Sequence, residues 1–109
     1  PGDTHIRDIF EETPEMSTYQ LAFMISDFES ISPTRSVNRI EGRSPLDIKV
    51  WGRKDYLGTL SKVPNKIVTI INYLQHYFNV SIGISKLDLV AMPMYMATKA
   101  SDNWGLMFF

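Results

Sequence analysis

The sequence predicts an α+β chain, and three kinds of stretch in it carry that prediction. Several short segments alternate apolar with polar residues, the two-residue period of a strand. A single longer segment repeats its apolar residues at steps of three and four, the period of a helix. Prolines, glycines and serines collect between these segments, where the chain must turn. A length of 109 residues allows one domain or parts of two.

The first candidate strand is "HIRDIFEETP", in which Ile6, Ile9 and Phe10 sit among charges before Pro14. The next is "STYQLAFMISDF". Its Tyr19, Leu21, Phe23 and Ile25 share one face by the two-residue period, while Ala22 and Met24 make the other face apolar too. From Glu29 to Pro45 the composition turns to prolines, serines and arginines interleaved with Glu29 and Glu41, which reads as a solvated connection rather than a polyanion site. "LDIKVW" follows as a two-sided strand, with Leu46, Ile48 and Val50 alternating against Asp47 and Lys49.

"RKDYLGTL" reads as a turn at Gly58 leading into the helix. There the apolar positions run Leu60, Val63, Ile67, Ile70, Ile71, Leu74, Phe78 along a single stripe. Ser61 is the expected N-cap, Pro64 falls in the first turn where it removes no intrahelical bond, and Asn79 is the expected end. Burying that whole stripe would contribute about 10–20 kcal/mol gross. "KLDLVAMP" supplies a strand ended by proline, and "NWGLMFF" a further strand at the chain's end. The expected order is strand, strand, loop, strand, helix, strand, strand.

Composition excludes some functions. The net charge of −1 gives no electrostatic reason to bind nucleic acid or an anionic membrane surface. No apolar run is long enough for a transmembrane segment. With no cysteine there is neither a disulfide nor a thiolate metal site, though the compartment stays open. "PGDTHIRD" lacks the basic and apolar regions of a signal peptide and does not begin with Met, so the chain reads as a piece of something longer. His76 has Asn72 and Val80 four residues to either side, neither a zinc ligand, and it reads as a helix-surface histidine. The cluster Met92, Met94 and Met96 reads as adaptable packing. Asn79-Val80-Ser81 matches the N-glycosylation acceptor pattern, which alone does not establish secretion. Taken alone, "ASDNWGL" reads as a turn, with Trp104 starting a buried strand.

Five blocks in order give the chain a resemblance. "TPEMSTYQLAFMISDF", "IKVWGR", the helix ending "YLQHYFNV", "KLDLVAMP" and "ASDNWGL" resemble blocks of the zinc aminopeptidases of the aminopeptidase N family. That family has Thr-Pro-x-Met-Ser-Thr-Tyr, Trp-Ala-Arg-Pro, a helix ending near Tyr-Phe, Pro-x-Pro-Lys-x-Asp and Gly-Ala-Met-Glu-Asn-Trp-Gly-Leu. The resemblance implies that residues 1–28 close a β-sandwich-like N-terminal domain. It implies that residues 29–109 begin a thermolysin-like catalytic domain, cut before the zinc motif, so that the zinc ligands lie outside this chain. The fragment is then expected to be inactive, and incomplete packing leaves its helix stripe and "LMFF" partly exposed.

In the family, the Glu of Gly-Ala-Met-Glu-Asn binds the free α-ammonium of a peptide, and that strand's backbone pairs with the substrate. Carried over, Asp102 stands for that Glu and Asn103 for the Asn. Ala100 matches Ala, Ser101 replaces Met and Lys99 replaces Gly. Aspartate is one methylene shorter than glutamate, and a lost charged hydrogen bond costs about 1.5–3 kcal/mol. Lys99 adds bulk where glycine allows close backbone approach, and its cation could pair with Asp102 or repel the substrate amine. Other departures are "SIGISK", "WGRKD" without the proline, and Met94 where an Asp often stands. The implied parent is a zinc-dependent aminopeptidase with peptide N-termini and the remainder of its own chain as partners, extracellular or at the cell surface, with a cytosolic place also open. The alternative is a catalytically dead, aminopeptidase-like ectodomain acting in adhesion or receptor binding.

Overall fold

The computed structural model describes residues 4–38, 45–93 and 100–109. Four strands form one mixed sheet in the order β1-β2-β3-β4. They are β1 (Glu29–Ile31), β2 (Asp47–Gly52), β3 (Lys86–Val90) and β4 (Leu106–Phe108). β1 is antiparallel to β2, whereas β2, β3 and β4 run parallel. A parallel pair needs a crossover. Between β2 and β3 it is made by a 3-10 turn at Lys54–Tyr56, the short helix α1 (Leu57–Leu60) and the helix α2 (Val63–Phe78). This is the small α+β architecture that the periodicities predict.

β2 shows why its sequence makes it a central strand. Ile48, Val50 and Gly52 are buried on one face while Lys49 and Trp51 are half-buried on the other. The parallel register puts Ile48 beside Leu87 and Val50 beside Leu89. These side chains join Val37, Val68 and Ile71 in one core cluster, with Met107 of β4 packed against it. The opposite face carries Trp51, whose indole donates to Asp88 Oδ1 at 2.8 Å, and Lys86, whose ammonium reaches Asp88 Oδ2 at 2.7 Å. Both oxygens of Asp88 are thereby engaged: Oδ1 joins β2 to β3, and Oδ2 pairs with Lys86 within β3.

Several expectations need correction. "HIRDIFEETP" forms no strand: Ile6, Ile9 and Phe10 are 84–90% exposed. "STYQLAFMISDF" is likewise not a strand. Thr18–Gln20 is a 3-10 turn, and Leu21, Phe23 and Ile25 face solvent. Alternation makes a segment suited to a sheet, but a strand exists only where another strand pairs with its backbone, and no described strand pairs with these segments. Residues 1–28 therefore show no strand of a β-sandwich among those described.

The stretch expected to be a solvated connection is instead docked. β1 lies within it, and Val37 is 6% exposed. Thr34 donates from its amide and hydroxyl to Asn65 Oδ1, at 3.1 and 3.2 Å. The Arg35 guanidinium donates to Thr69 Oγ1 at 3.1 Å, and the Asn38 amide to Asn72 Oδ1 at 2.8 Å. Asn65, Thr69 and Asn72 sit at helical spacing on α2 and form a polar seam for the loop.

Helix boundaries differ too. Gly58 lies inside α1 rather than in a turn, and Ser61 is not the N-cap of α2. Lys62 holds that place without a side-chain cap, because the chain enters α2 directly from α1 in helical conformation. Pro64 sits in the first turn and Asn79 ends the helix in the left-handed conformation, both as expected. The buried face is Pro64, Val68 and Ile71, with Leu60, Val63 and Ile67 packed at its edge. Ile70, Leu74 and Phe78 of the expected stripe are 42–64% exposed. The gross burial is accordingly smaller, on the order of 5–10 kcal/mol.

Candidate functional site

The residues singled out at the end of the chain form a loop that closes on β4. The Ser101 amide donates to the Phe108 carbonyl at 2.9 Å, and the Phe108 amide donates to Ser101 Oγ at 3.0 Å. Residue 101 thereby lies against the outer edge of β4, which would otherwise present unpaired backbone groups. Four residues then turn the chain: the Leu106 amide donates to the Asn103 carbonyl at 3.3 Å. Gly105 takes the third position with φ +80, which a type II turn requires and which glycine adopts without a steric penalty. A Cβ there would stand 3.4 Å from the Lys86 carbonyl oxygen. The turn expected on Ser101, Asp102 and Asn103 in fact spans Asn103 to Leu106, with Ser101 and Asp102 preceding it. Trp104 lies in it at 38% exposed, not at the start of a buried strand.

Between the Ser101 pairing and the turn stands Asp102. Its side chain is exposed, and no described residue bonds to its carboxylate. Asn103, next along, donates from Nδ2 to the Tyr19 carbonyl at 3.2 Å. That bond joins the loop to the "MSTYQ" block 84 residues away. Tyr19 owes its place to the 3-10 turn, which the Ser17 amide closes by donating to Gln20 Oε1 at 3.3 Å. Ala100 is exposed and enters the loop. Lys99, Met94 and Met96 lie outside the described residues. Met92 is half-buried, its amide donating to the Phe109 carbonyl at 2.7 Å.

The loop therefore brings Ser101, Asp102 and Asn103 together, and no described residue bonds to the Asp102 carboxylate. The serine hydroxyl and the asparagine amide are turned to the chain's own backbone. Two participants were not legible as such, the Phe108 amide and the Tyr19 carbonyl, since a main-chain group has no signature in a sequence. Among the described residues no group of three His, Cys, Asp or Glu side chains could hold a metal ion. The described residues do not fit a zinc site. No described helix is long and apolar enough to cross a membrane. Asn79 is exposed at the C-terminal end of α2, far along the chain from this loop.

No protein-family model matches the chain. Individual proteins do. It is 37% identical over 102 residues to Aminopeptidase Q of Mus musculus, a match covering 92% of this chain and 17% of that protein. Aminopeptidase Q of Homo sapiens is 36% identical, with 92% of this chain and 9% of that protein covered. Endoplasmic reticulum aminopeptidase 1 of Homo sapiens is 34% identical over 101 residues, covering 93% of this chain and 10% of that protein. The chain thus spans less than a fifth of the length of these curated relatives. Ordered blocks at such identity over nearly the whole chain mean common descent: this chain is a homologue of one segment of the aminopeptidases.

Proposed function

We propose that the chain is a segment of a zinc-dependent metalloaminopeptidase and supplies the wall that receives the free amino end of a peptide. The observation that carries this reading is the similarity to proteins named aminopeptidases, at 34–37% identity across at least 92% of the chain. We assign residues 1–28 to the end of an N-terminal β-domain and residues 29–109 to the start of a thermolysin-like catalytic domain. In support, β1 opens the sheet at Glu29. The zinc would belong to parts of the parent outside this chain.

Asp102 is the group that takes the α-ammonium. A carboxylate to which no described residue bonds keeps its acceptor sites for a ligand, whereas Asp88 is already engaged at both oxygens. Once a bound peptide excludes water, a charge-assisted bond to an ammonium is strong and directional. A substrate lacking the ammonium leaves the carboxylate unpaired and is rejected. Ser101 and Asn103 position the loop through Phe108 and Tyr19. We assign Ala100 and Lys99 to the same wall by their places in the sequence. The compartment that suits this reading is extracellular or luminal, in keeping with the acceptor pattern at Asn79 and with relatives named for the endoplasmic reticulum.

The test uses the whole parent protein and a fluorophore released from an aminoacyl amide. The expected result is release that a chelator abolishes and zinc restores, with an N-acetylated substrate left uncut. Asp102→Asn should raise KM about ten- to a hundredfold, the equivalent of 1.5–3 kcal/mol. An unchanged KM overturns the anchoring role. A parent that releases nothing under any metal condition overturns the enzyme reading and leaves an adhesion or receptor ectodomain.

A further inference from the structure

We propose that Asn79 carries an N-linked glycan whose first sugar covers the aromatic end of α2. This inference is independent of the peptidase reading. It starts from the geometry of the helix end. Asn79 is the C-cap of α2, at φ 51 and ψ 42, with Val80 and Ser81 completing the acceptor triplet beyond it. The left-handed residue ends the helical path at Asn79.

The cap does not consume the Asn79 side chain. The closing bonds are backbone ones: the Asn79 amide donates to the His76 carbonyl at 3.3 Å and the Val80 amide to the Gln75 carbonyl at 3.2 Å. Gln75 Oε1 further accepts from the Ile82 amide at 3.2 Å. The Asn79 amide group is exposed and bonded to nothing described, so a sugar can be attached without loss of a native bond.

What adjoins the triplet is a ledge of exposed apolar side chains. Tyr77, Phe78 and Val80 are 60–67% exposed. The Tyr77 and Phe78 rings meet edge to face, their centroids 5.0 Å apart, and Tyr73 stacks on Tyr77 at 6.0 Å. A cluster of that kind at the surface calls for a cover. A pyranose has a face of C–H groups that suits the electron-rich face of an aromatic ring. A glycan is also bulky and solubilising. Attached at Asn79, the first sugar lies directly beside the two preceding rings.

The attachment balances as follows. Asn79 Nδ2 attacks C1 of the first sugar of a lipid-diphosphate-linked oligosaccharide. The new N–C bond forms as the C1–O bond to the diphosphate breaks. The lipid diphosphate leaves with the electron pair, and one amide proton passes to a base of the transferring enzyme. The Ser81 hydroxyl is the third element that the acceptor pattern demands.

The experiment translates the full 109-residue chain, behind a secretory leader, in the presence of rough microsomes. The expected product is a protease-protected chain of retarded mobility that an asparagine-amidase returns to normal mobility. Asn79→Gln and Ser81→Ala should each remove the retardation. A protected chain of unretarded mobility overturns the site. The covering role is read separately with an apolar fluorescent dye: the glycosylated chain should bind less dye than the amidase-treated chain. In the Tyr77→Ser, Phe78→Ser double variant the two forms should bind the dye equally. Equal binding by the two wild-type forms overturns the cover.

Discussion

At the scale of single residues, the loop after Ala100 separates groups that hold from the group that is offered. The Ser101 hydroxyl accepts from the Phe108 amide at 3.0 Å. Ser101→Ala should speed amide hydrogen exchange at Phe108 about five- to tenfold, the equivalent of a hydrogen bond worth about 1 kcal/mol. Ser101→Thr keeps the oxygen and should leave that exchange near wild type. Gly105→Ala puts a side chain at φ +80, at a cost of about 1–3 kcal/mol. Since the Asp88 amide donates to the Gly105 carbonyl at 2.9 Å, the strain should appear as faster exchange at Asp88. Asp102→Glu lengthens the carboxylate arm by one methylene. In the parent it should lower KM by up to tenfold with little change in kcat, measured with the same fluorogenic amides. Asp102 was legible as an acid at the family's position. That its neighbours face inward to Phe108 and Tyr19 was not, because both partners are main-chain groups brought near by folding.

At the scale of elements, α2 faces three ways. Val68 and Ile71 meet the sheet, Asn65, Thr69 and Asn72 meet the loop after β1, and Tyr73, Tyr77 and Phe78 face outward. The apolar period identified the helix correctly, since steps of three and four fit nothing else. It could not say which apolar residues are covered, because a wide stripe fits any of several rotations about the axis. The polar seam decides the rotation, by satisfying the loop's backbone donors at Thr34 and Asn38. Asn65→Ala removes the acceptor for two donors of Thr34 and should cost about 1–3 kcal/mol. The expected readout is release of the loop, seen as protease cleavage near Arg35 that the native chain resists.

At the scale of the whole molecule, the radius of gyration is 15.5 Å, against about 13 Å for a compact chain of this length. The excess belongs with residues 4–28, whose apolar side chains Ile6, Phe10, Phe23 and Ile25 are 81–92% exposed. Only a small cluster built on Ile48, Val50, Val68 and Leu87 holds the sheet to the helix. The isolated chain should therefore unfold over a broad range by calorimetry and lose its first two dozen residues to a protease before the rest. A single sharp transition, with those residues protected, would contradict this account.

By itself the sequence determined local periods and kinship: the strands β2, β3 and β4, the helix α2 with its Asn79 end, and the five ordered blocks shared with aminopeptidases. These follow from side-chain spacing, which is a property of neighbours along the chain. Only the tertiary structure decided which alternating segments become strands, that residues 34–38 dock on α2, and that no described residue bonds to Asp102 between its two anchored neighbours. Those outcomes depend on partners dozens of residues away. A backbone group is satisfied by whatever folding brings within hydrogen-bond reach, and spacing along the chain does not encode that.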